Sequence, residues 1–257
     1  MIEKTIELTA PKSWIELNEK QLLYASWLLS TGNLTAEEIW TYAFVRFSNI
    51  KLKNQDDAGV IFKNGKNLFL LEPQEVLSFS KQFKFLTSGI DEIIPLSKMG
   101  GAARSDVRLR NAPLSQYLAC DNYYQAFIFK KNPVFLDMLC ASFYLKGEFN
   151  DSLTEKRSKK FAKLPFHVRY TTFLWFSGLK KVLKKNFPNY FVEMETGEGD
   201  TPTPPNMRKQ IEQMMRALSD GDVTKIEKIY SVETWAALAE LDAKAHEYNV
   251  MKSKMKK

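Results

Sequence analysis

The chain predicts a mainly α fold: a helical body carrying one small β-hairpin, followed by a C-terminal three-helix module. Three observations carry that prediction. Apolar residues recur at three- and four-residue intervals over most of the sequence, behind residues that cap helices. Period-two alternation is confined to short stretches, of which "GVIFKNGKNLFLL" (59–71) is the clearest. An acidic, Gly/Pro/Thr-rich segment, "EMETGEGDTPTPPN" (193–206), reads as a linker dividing a body, 1–192, from a module, 207–257.

The elements follow in order. "IEKTIELTA" (2–10) alternates at Ile2, Lys4, Ile6 and Leu8 and reads as a short strand or extended arm ended by Pro11. Asn18 with Gln21 forms a capping box, so a helix starts near Glu19, with Leu22, Leu23, Trp27 and Leu28 on its apolar face and Gly32 as its stop. Thr35 with Glu38 is a second capping box, opening a helix that carries Ile39, Tyr42, Ala43, Arg46 and Phe47. Two helices so close in sequence are expected to pair antiparallel. Asn64-Gly65 is the hairpin signal in 59–71. A two-residue loop there would set Lys63 opposite Lys66, and a longer loop is the alternative. Pro73 suits the first turn of a helix running to Thr87.

Residues 90–113, "IDEIIPLSKMGGAARSDVRLRNAP", hold two prolines, a Gly pair and three arginines, and read as a long exposed loop. The helical period resumes over 114–130 and 133–146, split by Asn132-Pro133. A basic stretch, "EKRSKKFAK", leads to an amphipathic helix over 166–186. In the C-terminal module Met207, Ile211, Met214, Met215 and Leu218 form a stripe that Asp220-Gly221 ends. Asp222 caps a short second helix with Val223, Ile226 and Ile229. Ser231 caps a third, carrying Trp235, Leu238, Leu241, Ala245 and Tyr248, and "KSKMKK" reads as a frayed tail.

Of the 257 residues, 44% are hydrophobic and 26% charged, which excludes a disordered chain and leaves room for one large or two small domains. Eighteen phenylalanines point to an aromatic core. No apolar run approaches the ~18 residues of a membrane span, and Met1-Ile2-Glu3-Lys4 does not open a secretory signal, so a cytoplasmic location is expected. Cys120 and Cys140 make no metal motif or disulfide framework and are expected to be buried free thiols.

Catalytic, cofactor and metal constellations are not found. His167 and His246 lack partners at ligand spacing, no serine sits in a G-x-S-x-G turn, and Gly100-Gly101 lacks the GK[ST] of a phosphate loop. Charge is informative instead. Residues 146–191 hold eleven Lys/Arg and three Asp/Glu, a balance of +8 against +7 for the whole chain. Arg104, Arg108 and Arg110 are candidate anion contacts. Lys180, Lys181, Lys184 and Lys185, with Lys156, Arg157, Lys159, Lys160 and Lys163 upstream, admit three readings: a solvated helix face, a nucleic-acid footprint or an interfacial membrane helix wedged by Phe173, Trp175 and Phe176. Met207, Ile211, Met214, Met215, Trp235 and Leu238 are the candidate partner-binding residues, because methionine surfaces adapt to varied partners.

Three phrases together, "SWIELNEKQL", "FLWFSGLKKVLKKNFPNYF" and "MMRALSDGDVTKIEKIYSVETWAALAELDAKAHEY", carry a resemblance. The last resembles C-terminal segments of small proteins from phage and prophage structural modules, in the position of tail assembly chaperones. That resemblance implies a non-enzymatic role in virion assembly, with a tape-measure-like or other tail protein as partner, in the host cytoplasm or associated with the virion. The expected function is therefore tail assembly through protein–protein contacts, and the alternative is a nucleic-acid-binding accessory protein using the basic 156–185 stretch.

Overall fold

In the computed structural model, residues 7–56, 59–191 and 207–255 are described, and the expected arm at 2–6 and linker at 193–206 lie outside them. Residues 7–10 have no regular structure. The fold is mainly α with two small three-stranded sheets, and the chain divides into two compact units, 1–94 and 95–257. The division is thus not the one that composition indicated at 193–206: the C-terminal helices are built into the second unit.

In the first unit, α1 (Glu19–Thr31) and α2 (Ala36–Phe47) begin at the two capping boxes, with Asn18 accepting from the Gln21 N–H and Thr35 from the Glu38 N–H. Gly32 ends α1 in the left-handed region, as expected. Leu22, Ala25 and Leu28 turn inward, while Trp27 and Tyr42, expected on the apolar faces, are exposed. The hairpin pairs β2 (Gly59–Asn64) with β3 (Asn67–Leu71), and β1 (Lys51–Asp56) adds a third strand that its polar sequence, "KLKNQD", does not announce. The turn residues are Gly65-Lys66 rather than Asn64-Gly65. Asn64 faces Asn67 and Lys63 faces Leu68, so the Lys63–Lys66 clash is avoided, with Gly65 taking the positive φ of 59°. Helix α3 (Pro73–Ser80) passes into a 3-10 turn, Lys81–Leu86, instead of continuing to Thr87. Phe44, Phe62 and Phe83 fill the core, and buried Trp14 donates its indole N–H to the carbonyls of Phe85 and Gly89.

The second unit opens with the segment expected to be an exposed loop, and the structure corrects that expectation. Strands β4 (Lys98–Met99) and β5 (Ala102–Arg104) form a hairpin around Gly100-Gly101, both at positive φ as a tight two-residue turn requires. Ile93 of the first unit and, in the second, Leu96, Met99, Leu109 and Ala112 are buried. The backbone of 107–112 serves the interior: the Val107 carbonyl accepts from the Trp175 indole, Arg108 from the Trp235 indole, and Ala112 from Thr234. Turn-forming composition here encodes sharp bends in a packed strap.

Helix α4 (Leu114–Lys130) matches its expected span, and so does α7 (Phe166–Asn186). Helix α5 (Pro133–Phe143) stops short of Lys146, because β6 (Tyr144–Leu145) joins β5 to complete the second sheet. The basic stretch is itself a helix, α6 (Thr154–Phe161). Phe143 stacks on Trp175 with ring centroids 3.6 Å apart, centring the core on α5 and α7.

Helices α8 (Met207–Ser219), α9 (Ile226–Tyr230) and α10 (Thr234–Met255) complete the unit. Asp220 and Gly221 end α8 at positive φ, and Asp222 caps the following turn through the Thr224 N–H. Glu233, not Ser231, caps α10, accepting from the N–H groups of Trp235 and Ala236. The tail expected to fray is helical to Met255, and Tyr248 and Val223 are exposed.

Candidate anion-binding site

Helix α6 divides its residues by position. Thr154, Ser158 and Phe161 are buried, at the i, i+4, i+7 spacing of an inward face. Lys156, Lys159 and Lys160, followed by Lys163, are exposed on the other side, and Arg157 lies half-buried at the boundary. None of these five cations has an ion-pair or hydrogen-bond partner among the described residues.

Beside the helix is a cavity of about 360 Å³. Its apolar walls are Ala102 of β5, Tyr144 of β6, Phe161 and the half-exposed Leu153; its polar walls are Lys146, Lys156, Arg157 and Lys160, with no carboxylate among them. Tyr144 is fixed by donating its hydroxyl to the Leu96 carbonyl at 3.1 Å. The Gly100-Gly101 turn closes against α6: a Cβ on Gly100 would stand 3.3 Å from the Phe161 ring and one on Gly101 3.4 Å from Lys160 Nζ. Glycine at this turn therefore permits both the positive φ and the close approach of the basic side chain.

The Nη1 of Arg157 is buried without a hydrogen-bond partner among the described residues, and so is Thr154 Oγ1, three residues earlier on the same helix. A buried guanidinium nitrogen with no acceptor loses its hydration and gains nothing in return.

The arginines expected to contact an anion have interactions within the chain. Arg104 turns its guanidinium to the Pro95 carbonyl, the Arg108 carbonyl holds Trp235, and Arg110 lies over the Trp235 ring, 4.7 Å from its centroid. Three of the four α7 lysines are similarly engaged. Lys180 pairs with Asp121 at 2.6 Å and lies over Tyr124, Lys181 and Lys184 have interactions of their own, and Lys185 is exposed. Phe173, Trp175 and Phe176, the proposed membrane wedge, belong to the core: Trp175 and Phe176 are buried and Phe173 stacks on Tyr124.

The partner stripe is largely interior. Met214, Met215 and Leu238 are buried, and Trp235 is half-buried with its edge against Phe187. Met207 and Ile211 alone of the six line an open groove, about 630 Å³, shared with Leu118 and Tyr123 of α4. Cys120 and Cys140 are free and buried, as expected; burial pushes both thiols up, Cys140 to about 12. His246 is exposed and His167 half-buried. Among the described residues no group of three or more His, Cys, Asp or Glu converges, and no helix is long and apolar enough to cross a membrane.

Sequence reasoning placed charge on 156–163 but missed the pocket. Its floor comes from Ala102, Tyr144 and Phe161, three apolar residues remote in sequence whose meeting depends on the second sheet. The available signal was the Gly100-Gly101 turn, where a pair of glycines permits a close approach. No family model, curated protein or solved structure matches the chain.

Proposed function

We propose that this protein acts by binding rather than by catalysis, and that its ligand is a nucleic acid held by its phosphates along the outer face of α6. The observation that carries the reading is the unpaired state of that face: Lys156, Lys159, Lys160 and Lys163 are exposed without carboxylate partners, beside an Arg157 whose buried nitrogen lacks an acceptor. Lysines so placed attract a polyanion and release its counterions, a contribution that needs no base-reading residues. The two thiols, the strongest nucleophiles by residue type, are held protonated by burial at neutral pH, which favours a binding role.

Fluorescence anisotropy with a labelled single-stranded oligonucleotide tests this. Affinity should fall steeply as salt rises, and neutralising Lys156, Lys159, Lys160 and Lys163 should reduce the slope of log K against log salt by roughly 3, at about 0.7 per phosphate contact on a single strand. Binding that is indifferent to salt sinks the reading.

A second reading is assembly through protein contacts, with phage tail or other virion proteins as the partner class. The groove flanked by Met207 and Ile211 favours it, since those two stripe residues keep accessible surface. Pull-down with tail proteins, with and without Ile211→Glu, decides it: a partner captured equally by both forms, or none captured, removes this groove as the contact.

A further inference from the structure

The exposed lysines of α6 account for attraction to a phosphate backbone, yet such attraction needs only surface charge. Here the charge rims a recess floored by Ala102, Tyr144 and Phe161. We infer that this recess takes one unpaired nucleotide unit, with its phosphate on Arg157, Lys156 and Lys160 and its ring on the apolar floor. The inference rests on the reading of α6 as a phosphate-binding face and adds a second requirement, a flat apolar body joined to the phosphate.

Size and chemistry both set the ligand class. At about 360 Å³ the cavity is at the small end of ligand pockets, which run ~300–1,000 Å³, and suits a single nucleotide rather than a base pair. A guanidinium matches phosphate oxygens in a bidentate geometry that an ammonium cannot offer. Arg157 lines the recess with Lys156 and Lys160 and is already half-buried, so a phosphate there meets a partly desolvated cation. The floor is preformed: Phe161 is buried on α6, and Tyr144 is tethered to Leu96. The same chemistry is offered by a free mononucleotide or by an unstacked nucleotide within a single strand.

Isothermal titration of the full chain with adenosine 5′-monophosphate, adenosine and inorganic phosphate tests the inference. The monophosphate should bind about tenfold or more tighter than either fragment, because phosphate contact and ring contact add. Arg157→Met should weaken it by a similar factor of about ten. Leu153→Trp, which fills the recess from its rim without altering charge, should also weaken it. Monophosphate bound no tighter than inorganic phosphate, or bound by both variants as tightly as by the wild type, overturns the inference. A short single-stranded oligonucleotide titrated in parallel separates the two proposals. Oligonucleotide binding without monophosphate binding discards the recess and keeps the α6 face. Monophosphate binding without oligonucleotide binding assigns the recess to free nucleotides and discards the nucleic-acid reading.

Discussion

Helices α6 and α7 both carry clustered basic residues, and the structure uses those charges in opposite ways. Each carries an arginine with a buried nitrogen that lacks an acceptor, Arg157 Nη1 and Arg169 Nε. Arg169 nonetheless has a carboxylate: its Nη1 bonds Asp137 of α5, and the two side chains are 11% and 7% exposed. Arg157 has none. Lys180 of α7 likewise meets Asp121, whereas the lysines of α6 meet no acid among the described residues. Net charge therefore does not locate a ligand site. What locates one is cationic charge left uncompensated beside a cavity, and that condition holds on α6 and fails on α7.

The largest expected effect is on stability and concerns the paired arginine. Arg169→Met would leave Asp137 buried without its partner, and Asp137→Ala would do the same to Arg169. Each should cost about 3–5 kcal/mol, read by urea or thermal unfolding. Burial already pushes the Asp137 carboxyl above its usual range, against the hydrogen bond and the charge of Arg169. Arg157→Met should behave differently, lying between neutral and about 1 kcal/mol stabilising, since it removes a buried donor that has no acceptor. A loss of about 2 kcal/mol or more at Arg157 would mean that the two arginines are alike and would break the comparison.

That contrast also marks where the sequence stops being informative. Asn18 with Gln21 and Thr35 with Glu38 specify helix starts because every partner lies within four residues. The spans of α4 and α7 were legible from their helical period, which Pro113 and Pro165 open. The pairing of Arg169 with Asp137 joins residues 32 apart, and nothing local distinguishes it from the absence of a partner at Arg157. The strap at 105–113 was misread because its turn residues are genuine, while the donors its carbonyls accept from, Trp175, Trp235 and Thr234, lie on helices far along the chain. The methionine stripe was legible as a face, but Met214 and Met215 are covered within the second unit, so a face in sequence was not a surface in the fold.

Smaller effects sharpen the comparison. A double-mutant cycle on Asp121 and Lys180 should return a coupling of about 1 kcal/mol, because the pair is only partly exposed. Lys159→Ala on α6 should change stability by less than about 0.5 kcal/mol. A coupling near zero at Asp121–Lys180 would free a cation on α7 and weaken the distinction.

The smallest effect is pH-dependent and concerns Asp242 of α10, which accepts from the Asn189 and Tyr190 N–H groups and the Asn189 side-chain amide beyond the end of α7. Partial burial works against the ionised form, but these three hydrogen bonds outweigh it and hold the carboxyl below its usual range. A carboxyl with a lowered folded-state pKa stabilises above its unfolded pKa of about 3.9, and that contribution is lost as pH falls through the folded value. Asp242→Asn should therefore melt below the wild type at neutral pH, and the gap should close on acidification below about pH 4. A gap that is constant over that range would remove ionised Asp242 as the tie.

The measurement that bears most directly on the central claim is single-stranded oligonucleotide binding by three forms of the chain at several salt concentrations. These are the wild type, the α6 variant with Lys156, Lys159, Lys160 and Lys163 changed to Ala, and the α7 variant with Lys181, Lys184 and Lys185 changed to Ala. The account predicts that the α6 variant loses most of the affinity and flattens the salt dependence, while the α7 variant stays close to wild type. Equal losses in the two variants, or a loss confined to α7, would contradict it.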